Sequence, residues 1–268
     1  MTFDLLVSQG RIADRTPGAI EGAGRTARAL ERRYAVTGRV VGHPAPAVDD
    51  DWRTGLPEAR ETLAELRDAL TTGIEGGGLP VMVANTCSAS LASLPVVARH
   101  YPDAVVLWID AHGDFNTPDT TDTGYLGGMV LSAACGLWDS GHGAGLRSER
   151  IVLIGARDID PAEGELLRKA GVRILSPQDA TPEAVLSAIG AARVWIHLDW
   201  DSLEPGLVPA AYTVPGGLLP EQVRAILEAI PPTQIAGIEL AEFVVSADEA
   251  VNEKALSIIL DTVAPLLD

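Results

Sequence analysis

Residues 108–114 read Trp-Ile-Asp-Ala-His-Gly-Asp, an apolar run that ends in polar residues at alternate positions. Successive side chains of an extended chain point to opposite faces, so a period of two places Asp110, His112 and Asp114 on one side as the chain leaves a strand. The stretch therefore predicts a buried strand that delivers two carboxylates and an imidazole to one place.

A second stretch, residues 196–201, repeats the arrangement as Ile-His-Leu-Asp-Trp-Asp, with Asp199 and Asp201 at alternate positions. Acidic residues after buried strands often serve only as helix caps or turn formers. Two such clusters are harder to explain that way, because parallel sheets collect ligands at the carboxyl ends of their strands. Carboxylates packed closely repel one another unless cations neutralise them, and a mixed oxygen and nitrogen ligand set suits Mn²⁺. The two stretches together predict a metal site.

Short β-branched runs alternate with helical patterns along the chain. The strand candidates are Asp4–Val7, Arg39–Gly42, Pro80–Ala84, Ala104–Ile109, Arg150–Ile154, Val172–Leu175, Arg193–Leu198 and Gln234–Ile238. Helices are predicted at Glu58–Leu70, Pro182–Ala191, Pro220–Ala229 and Glu249–Leu267, with another opening at Pro161 and a buried one within 124–138. This alternation predicts an α/β fold, a three-layer αβα sandwich with a mainly parallel central sheet of about eight strands.

The composition indicates a single domain over residues 1–268. With 268 residues and 47% hydrophobic content, the chain can bury one sizeable core. The net charge of −17 argues against nucleic acid or an anionic membrane as a partner, because both attract basic patches. Two cysteines, Cys87 and Cys135, and an amino terminus without the features of a signal peptide predict a cytoplasmic location.

Two motifs resemble the hallmarks of the ureohydrolase family, which includes arginases and agmatinases. They are Asp-Ala-His-Gly-Asp at 110–114 and Leu-Asp-Trp-Asp-Ser-Leu-Glu-Pro at 198–205. The likeness runs from about Val81 to the end of the chain, is nearest to the arginase branch, and continues through 157–163, 215–217 and 237–242. It implies hydrolysis of a guanidino group at a centre of two Mn²⁺ ions.

The resemblance implies roles for the acidic residues. In the family pattern, the residues that match Asp110 and Asp199 bridge the two metals. Those that match His112 and Asp201 complete one site, and the residue that matches Asp114 belongs to the other and takes a proton from the attacking water. All five residues are present in this chain.

Two positions depart from the family pattern. Cys87 stands where the family carries the histidine of the first metal site. A thiolate there would favour Zn²⁺ or Fe²⁺ over Mn²⁺ and weaken that site, whereas the alternative is a small buried thiol. Gly127 stands where arginases usually have a histidine that shuttles protons or contacts substrate. Its loss predicts a slow enzyme or a different proton donor, for which His142 is conceivable although a solvated loop position suits it better.

Five residues match positions that hold substrate in the family. Glu242 matches the carboxylate that binds the guanidinium group, and Thr213 matches a neighbouring position. Asn116, Thr123 and Asp160 match arginase positions that contact the α-carboxylate and α-amino groups, which favours arginine over agmatine. The alternatives are a surface acid for Glu242, a turn residue for Thr213 and a helix N-cap for Asp160.

His197 is two residues before Asp199, so both side chains point to the same face of the strand, with His197 further from the metal site. A hydrogen bond to a metal ligand is one interpretation, and a satisfied core histidine is the other. The sequence pattern does not separate the two.

These features predict a metal-dependent hydrolase that releases urea from arginine or a related guanidino amino acid. Agmatinase, guanidinobutyrase or formimidoylglutamase activity is one alternative. A catalytically weak paralogue that binds a guanidino ligand or a single metal is another. The resemblance also implies a homo-oligomer, either a trimer or a hexamer.

Overall fold

The protein is built on a single sheet of eight strands. The computed structural model describes residues 3–268, so residues 1 and 2 of the predicted domain lie outside the described part. In chain order the strands are β1 (Phe3–Ser8), β2 (Arg39–Val41), β3 (Leu79–Val83), β4 (Val105–Ile109), β5 (Ile151–Ile154), β6 (Arg173–Leu175), β7 (Val194–Asp199) and β8 (Ile235–Ala241). Across the sheet the order is β2-β1-β3-β8-β7-β4-β5-β6, with every neighbouring pair parallel. Each strand corresponds to a predicted one.

The inner strands are largely apolar on both faces, as a parallel sheet covered on both sides requires, whereas the edge strands β2 and β6 are partly exposed. In β4, Leu107 and Ile109 pack into one hydrophobic core, whereas Val106 and Trp108 pack into the core on the opposite face. Every residue of this strand is buried. The acidic residues that follow β4 are therefore attached to one of the most completely buried strands of the sheet.

Helices cover both faces of the sheet. In chain order they are α1 (Ala19–Tyr34), α2 (Trp52–Glu75), α3 (Ser90–His100), α4 (Val130–Ala134), α5 (Pro161–Ala170), α6 (Pro182–Ile189), α7 (Pro220–Ala229) and α8 (Glu249–Leu267). Helices α1, α6, α7 and α8 contribute to one core, and α2 to α5 contribute to the other. The predicted αβα sandwich is confirmed. Within residues 3–268, no helix has the length and apolar character needed to span a membrane.

Three helices differ from the sequence prediction. Helix α1 has no predicted counterpart, because Gly18 occupies its N-cap at φ 100° and no side chain caps it. Helix α2 begins at Trp52, where the Asp51 side chain accepts a hydrogen bond from the backbone of Arg53, whereas the predicted helix starts only after Pro57. The buried helix predicted within 124–138 is reduced to α4 and a preceding 3₁₀ turn.

Gly22 of α1 packs against the backbone of the loop that follows β8. A Cβ atom at position 22 would overlap the carbonyl oxygen of Phe243, a backbone atom that cannot rotate away. We expect Gly22→Ala to lower the free energy of unfolding by about 3 kcal/mol, because overpacking forces the backbone to shift. Denaturation in urea, followed by circular dichroism, measures the change.

Gly24 provides a matched control on the same helix. A Cβ atom there would meet only the ends of the Arg28 and Gln9 side chains, at 3.2 Å, and these can move. Gly24→Ala should therefore be close to neutral or stabilising, since alanine favours a helix over glycine by about 1 kcal/mol. Equal stability of the two variants would contradict the close approach of α1 to Phe243.

Candidate metal centre and substrate cavity

The acidic residues meet at the carboxyl end of four adjacent strands. β3, β8, β7 and β4 are consecutive in the sheet. Just beyond these strands, or at their last residue, lie Cys87, Glu242, Asp199 and Asp110, respectively. Parallel strands end at a common edge, so residues distant in sequence converge there. The structure therefore brings the two acidic stretches together in a buried position.

Asp110, His112 and Asp201 form one half of this centre. His112 Nδ1 lies 3.3 Å from Asp110 Oδ1 and 3.1 Å from Asp201 Oδ2. Burial alone would lower the pKa of His112, but the two carboxylates raise it to about 12. Backbone groups fix both acids, since His112 N–H donates to Asp110 at 2.7 Å and Ala111 N–H donates to Asp201 at 3.1 Å. One nitrogen and two carboxylates are thus held within reach of a common point.

Asp199 lies between this group and the other half of the centre. Its Oδ1 accepts a 2.7 Å hydrogen bond from the Asp201 N–H, while its Oδ2 lies 3.1 Å from Cys87 Sγ. The Ser202 hydroxyl donates to the Asp199 carbonyl at 2.6 Å and closes the turn after β7. The two oxygens of the Asp199 carboxylate thus face different neighbours, one on each side of the centre.

Cys87 is buried against the carboxylates. Besides Asp199, its Sγ lies 3.4 Å from His197 Nε2 and 4.0 Å from Asp110 Oδ2. Burial, reinforced by the charge of Asp199, raises the pKa of the thiol well above its usual value. The thiol therefore lies among potential ligand atoms and is not packed among apolar side chains alone.

His197 lies directly behind Cys87 and is fully buried. Its ring stacks on Trp108, with centroids 3.5 Å apart and planes inclined by 4°. Its Nδ1 lies 3.5 Å from Glu239 Oε2 but makes no hydrogen bond. Glu239 itself accepts hydrogen bonds of 2.8 and 2.9 Å from two serine hydroxyls of α3. His197 therefore contacts the centre through Cys87 and is not an isolated core histidine.

Asp114 is directed into the cavity by a strained turn. Its φ of 48° is uncommon for a residue other than glycine. The preceding Gly113 has no room for a side chain, because a Cβ atom there would lie 2.6 Å from the carboxyl carbon of Glu163. Glu163 anchors the same loop by accepting a 2.8 Å hydrogen bond from the Phe115 N–H. The Asp114 Oδ2 atom is buried without a hydrogen-bond partner and is therefore free to meet a bound group.

Glu242 forms the opposite wall. It is only 4% exposed, so the surface-acid alternative is wrong. Its Oε1 accepts hydrogen bonds from the Cys87 N–H at 2.9 Å and from Tyr125 Oη at 3.1 Å. Burial raises the pKa of Glu242 to about 8 despite the hydrogen bond from Cys87. The other carboxylate oxygen has no partner among the described residues and is available to a cationic group.

Tyr125 fills the space that Gly127 leaves. A Cβ atom at position 127 would lie 2.5 Å and 2.8 Å from two carbons of the tyrosine ring. The glycine therefore lets the ring lie against the backbone while its hydroxyl reaches Glu242. His142, considered as a replacement for the missing imidazole, does not line the cavity. The proton-bearing group beside Glu242 is a phenol instead.

A cavity of about 420 Å³ opens over these residues. Among the predicted site residues, those that line it are Cys87, His112, Asp114, Asn116, Thr123, Asp160, Asp199, Asp201, Thr213 and Glu242. Asp110 does not line the cavity itself but contacts His112, which does. Asp160 occupies the N-cap of α5, as its alternative interpretation predicts, but its side chain makes no capping hydrogen bond and lines the cavity.

The cavity also contains residues that the sequence analysis missed. They are Arg15, Tyr125, Asp158, Glu163 and Tyr212. Asp158 and Glu163 lie in the stretch 157–163 that carries part of the family resemblance, so a signal was present for them. Arg15, Tyr125 and Tyr212 lie outside the quoted motifs and carry no such signal.

The donor set fits divalent cations. Three groups of ligand atoms lie within 4.8 Å of one another: Cys87–Asp110–His197, Cys87–Asp199–Glu242 and Asp110–His112–Asp201. Asp114, predicted as a ligand, is in none of these groups, although its free oxygen faces the same space. Burial and mutual repulsion raise the pKa values of Asp114, Asp199 and Asp201. Cations would relieve that repulsion.

Comparison with known proteins agrees with this geometry. The sequence model described as the Arginase family matches residues 1–263. An Nω-hydroxy-L-arginine amidinohydrolase of Streptomyces lavendulae is 64% identical over 266 residues, 99% of this chain and 97% of that protein. The arginase of Bacillus caldovelox is 31% identical over 205 residues, 70% of this chain and 67% of that protein.

A solved structure shows the same fold. The crystal structure of Entamoeba histolytica arginase in complex with L-ornithine has a TM-score of 0.85 to this chain, with 18% identity, and covers 100% of this chain and 99% of the other. The predicted family and reaction class, a ureohydrolase-type amidine hydrolase, are confirmed by the sequence relationships. This chain belongs to the arginase family.

Proposed function

We propose that this protein hydrolyses a guanidino carbon–nitrogen bond of an L-amino acid and prefers Nω-hydroxy-L-arginine to L-arginine. The observation that carries the reaction is the acid-lined cavity that ends at Glu242 beside the convergent ligand groups. The hydroxylated substrate is supported by the 64% identity, over 99% of the chain, to an Nω-hydroxy-L-arginine amidinohydrolase. Addition of water would release ornithine together with hydroxyurea, or with urea when arginine is the substrate.

We propose two divalent metal ions as the cofactor, with Mn²⁺ at the site that contains His112 and either weakly bound Mn²⁺ or a softer metal at the site that contains Cys87. One ion would be held by Asp110, His112, Asp199 and Asp201, and the other by Cys87, Asp110, Asp114 and Asp199. Bound cations would supply Lewis acidity toward water and the guanidino group. Asp110, His112 and Asp201 form one group of ligand atoms, and Cys87 shares one group with Asp110 and another with Asp199, which supports a division into two sites.

The remaining side chains bind the substrate and hold protons. Burial raises the pKa of Tyr125 well above its usual value, so the phenol keeps its proton and orients Glu242 by donating to Oε1. The free oxygen of Glu242 would accept a hydrogen bond from the guanidino group. Asp114 Oδ2, which lacks a partner, would take the proton from the attacking water. An N-hydroxy substituent withdraws electrons from the guanidino carbon, which favours attack in a centre without an imidazole at position 127.

The setting of the enzyme is also a proposal. The whole chain, residues 1–268, would act as one domain, because the loops that follow β1, β3, β4, β7 and β8 meet in one cavity. Two free cysteines support a reducing compartment such as the cytoplasm. The net charge of −17 supports a small cationic substrate over nucleic acid or an anionic membrane. The family resemblance supports a trimer or a hexamer, which light scattering would test.

Substrate comparison tests the proposed reaction. Protein loaded with Mn²⁺ should release ornithine from Nω-hydroxy-L-arginine with a kcat/KM about tenfold or more above that for L-arginine, with agmatine slower still. Mass spectrometry of the amine product applies to all three compounds. Glu242→Gln keeps the shape and removes the charge, so it should lower kcat/KM about a hundredfold.

Each alternative function predicts a different outcome. Preference for arginine would make the protein an arginase, and preference for agmatine would make it an agmatinase. Absence of an amine product from every guanidino compound, guanidinobutyrate included, and from the amidine formimidoylglutamate would support the weak paralogue.

A further inference from the structure

The cavity contains one permanent cation, Arg15, for which the proposed reaction has no use. Seven aspartate and glutamate side chains line the cavity, and Arg15 is the only arginine or lysine among the described residues that do so. An amino-acid substrate brings a carboxylate into this acidic surrounding, where like charges repel. The position of the single cation therefore bears on how that carboxylate is accepted.

Arg15 is held rigidly by two other loops. Its Nε and Nη2 donate to the Asp50 carbonyl oxygen at 2.8 and 2.6 Å, and Nη2 also donates to the Thr123 carbonyl oxygen at 3.1 Å. The nearest carboxylate, that of Asp49, is 3.6 Å away and 91% exposed, so solvent screens this pair. Within residues 3–268, no acceptor is hydrogen-bonded to Nη1. The guanidinium is fixed in place and retains free donors.

Tyr125 connects Arg15 to the guanidino end of the cavity. The Arg15 guanidinium lies over the tyrosine ring, 5.2 Å from its centroid, while the hydroxyl of the same ring donates to Glu242 at 3.1 Å. One aromatic side chain thus separates a cation from the carboxylate that would bind the guanidino group. An arginine-like substrate carries a carboxylate and a guanidino group at opposite ends of a short aliphatic chain. Its carboxylate can therefore pair with Arg15 while its guanidino group pairs with Glu242.

We infer that Arg15 binds the α-carboxylate of the substrate through Nη1 and thereby selects guanidino α-amino acids over guanidino amines. The inference rests on the proposed function, because it takes Glu242 as the guanidino-binding residue. Arg15 determines specificity and does not touch the reacting atoms. It adds a charged donor beside Thr123 and leaves Asp160 to meet the α-ammonium group.

Substrates that differ only at the carboxylate test this role. For Arg15→Gln, the ratio of kcat/KM for L-arginine to that for L-argininamide should fall about tenfold to a hundredfold, mainly through KM, because a hydrogen bond to a charged group is lost. Arg15→Lys should keep part of the ratio, since a charge without the planar fork remains. Arg53→Gln is the control: Arg53 also stacks on an aromatic ring, that of Trp52, but is exposed and does not line the cavity.

Ligand binding gives a readout that does not depend on turnover. Calorimetry on the Mn²⁺-loaded protein should show about tenfold or more weaker binding of L-ornithine to Arg15→Gln than to the unmodified enzyme, with no comparable change for putrescine, which lacks the carboxylate. Equal losses for arginine and argininamide, or unchanged ornithine affinity, would overturn the inference and leave Arg15 as a support for the loops. If the unmodified enzyme turns over no guanidino compound while ornithine binding still depends on Arg15, the proposed function fails and the carboxylate site stands.

Discussion

Asp199→Ala should remove both metal ions and lower kcat/KM by about a thousandfold or more, since loss of a buried charged partner costs about 3–5 kcal/mol. The reason lies in the position of the carboxylate. One oxygen is fixed at 2.7 Å from the Asp201 N–H, and the other lies 3.1 Å from Cys87 Sγ, in the opposite half of the centre. If Asp199 is a ligand in both halves of the centre, its removal takes a ligand from each of the two metal sites.

Metal analysis and thermal denaturation test this prediction. The variant should contain almost no Mn²⁺, and added Mn²⁺ should no longer raise its melting temperature, because a ligand stabilises only the protein that binds it. Asp158→Ala is the matched control for metal content, since this acid lines the same cavity but lies 3.9 Å from the distal nitrogen of His112 and is largely exposed. A normal metal content in Asp199→Ala would refute the bridging role.

The sequence was sufficient for the sheet and for the acidic residues at its edge. Parallel strands are buried on both faces, so the sequence shows β4 as a continuous apolar run and β7 as an apolar run interrupted only by His197. The period of two that ends each run then predicts that Asp110, His112, Asp199 and Asp201 lie at one edge of the sheet, and the structure has them there. The sequence pattern predicts the positions of these residues because the alternation of side chains follows directly from the backbone geometry of a strand.

Arg15 and Tyr125 could not be predicted in this way. Arg15 follows β1 and reaches the cavity only because the chain places β1 beside β3 and brings the loops of Asp50 and Thr123 to it. Tyr125 reaches Glu242 because the backbone at Gly127 leaves room for its ring. Such contacts depend on loops that are distant in sequence, and no local sequence pattern predicts them. The sequence therefore marks the missing histidine at position 127 without indicating what replaces it.

Cys87 is an intermediate case. The sequence left two interpretations, a metal ligand and a small buried thiol, and the structure shows which atoms surround the sulfur. Its Sγ is surrounded by Asp199, His197 and Asp110 at 3.1 to 4.0 Å. Replacement by histidine is a poor test, because a second imidazole would have to share the space of His197, which stacks on Trp108. Serine is close to cysteine in volume and replaces a soft, ionisable sulfur by a hard hydroxyl oxygen that stays neutral.

Cys87→Ser should lower the affinity for Zn²⁺ relative to that for Mn²⁺ by about a hundredfold, since even the outer partners of metal ligands are worth about tenfold to a hundredfold in affinity. Thiolate is a soft donor that favours Zn²⁺. A hydroxyl oxygen is a hard donor and does not share this preference for Zn²⁺ over Mn²⁺. Competitive titration of the two metals against a chelator measures the ratio. Cys135→Ser is the control, because this second free thiol does not line the cavity and should leave the ratio unchanged. An unchanged ratio in Cys87→Ser as well would mean that the thiol contacts the carboxylates without binding metal, and the second ion would then be held by Asp110, Asp114 and Asp199 alone.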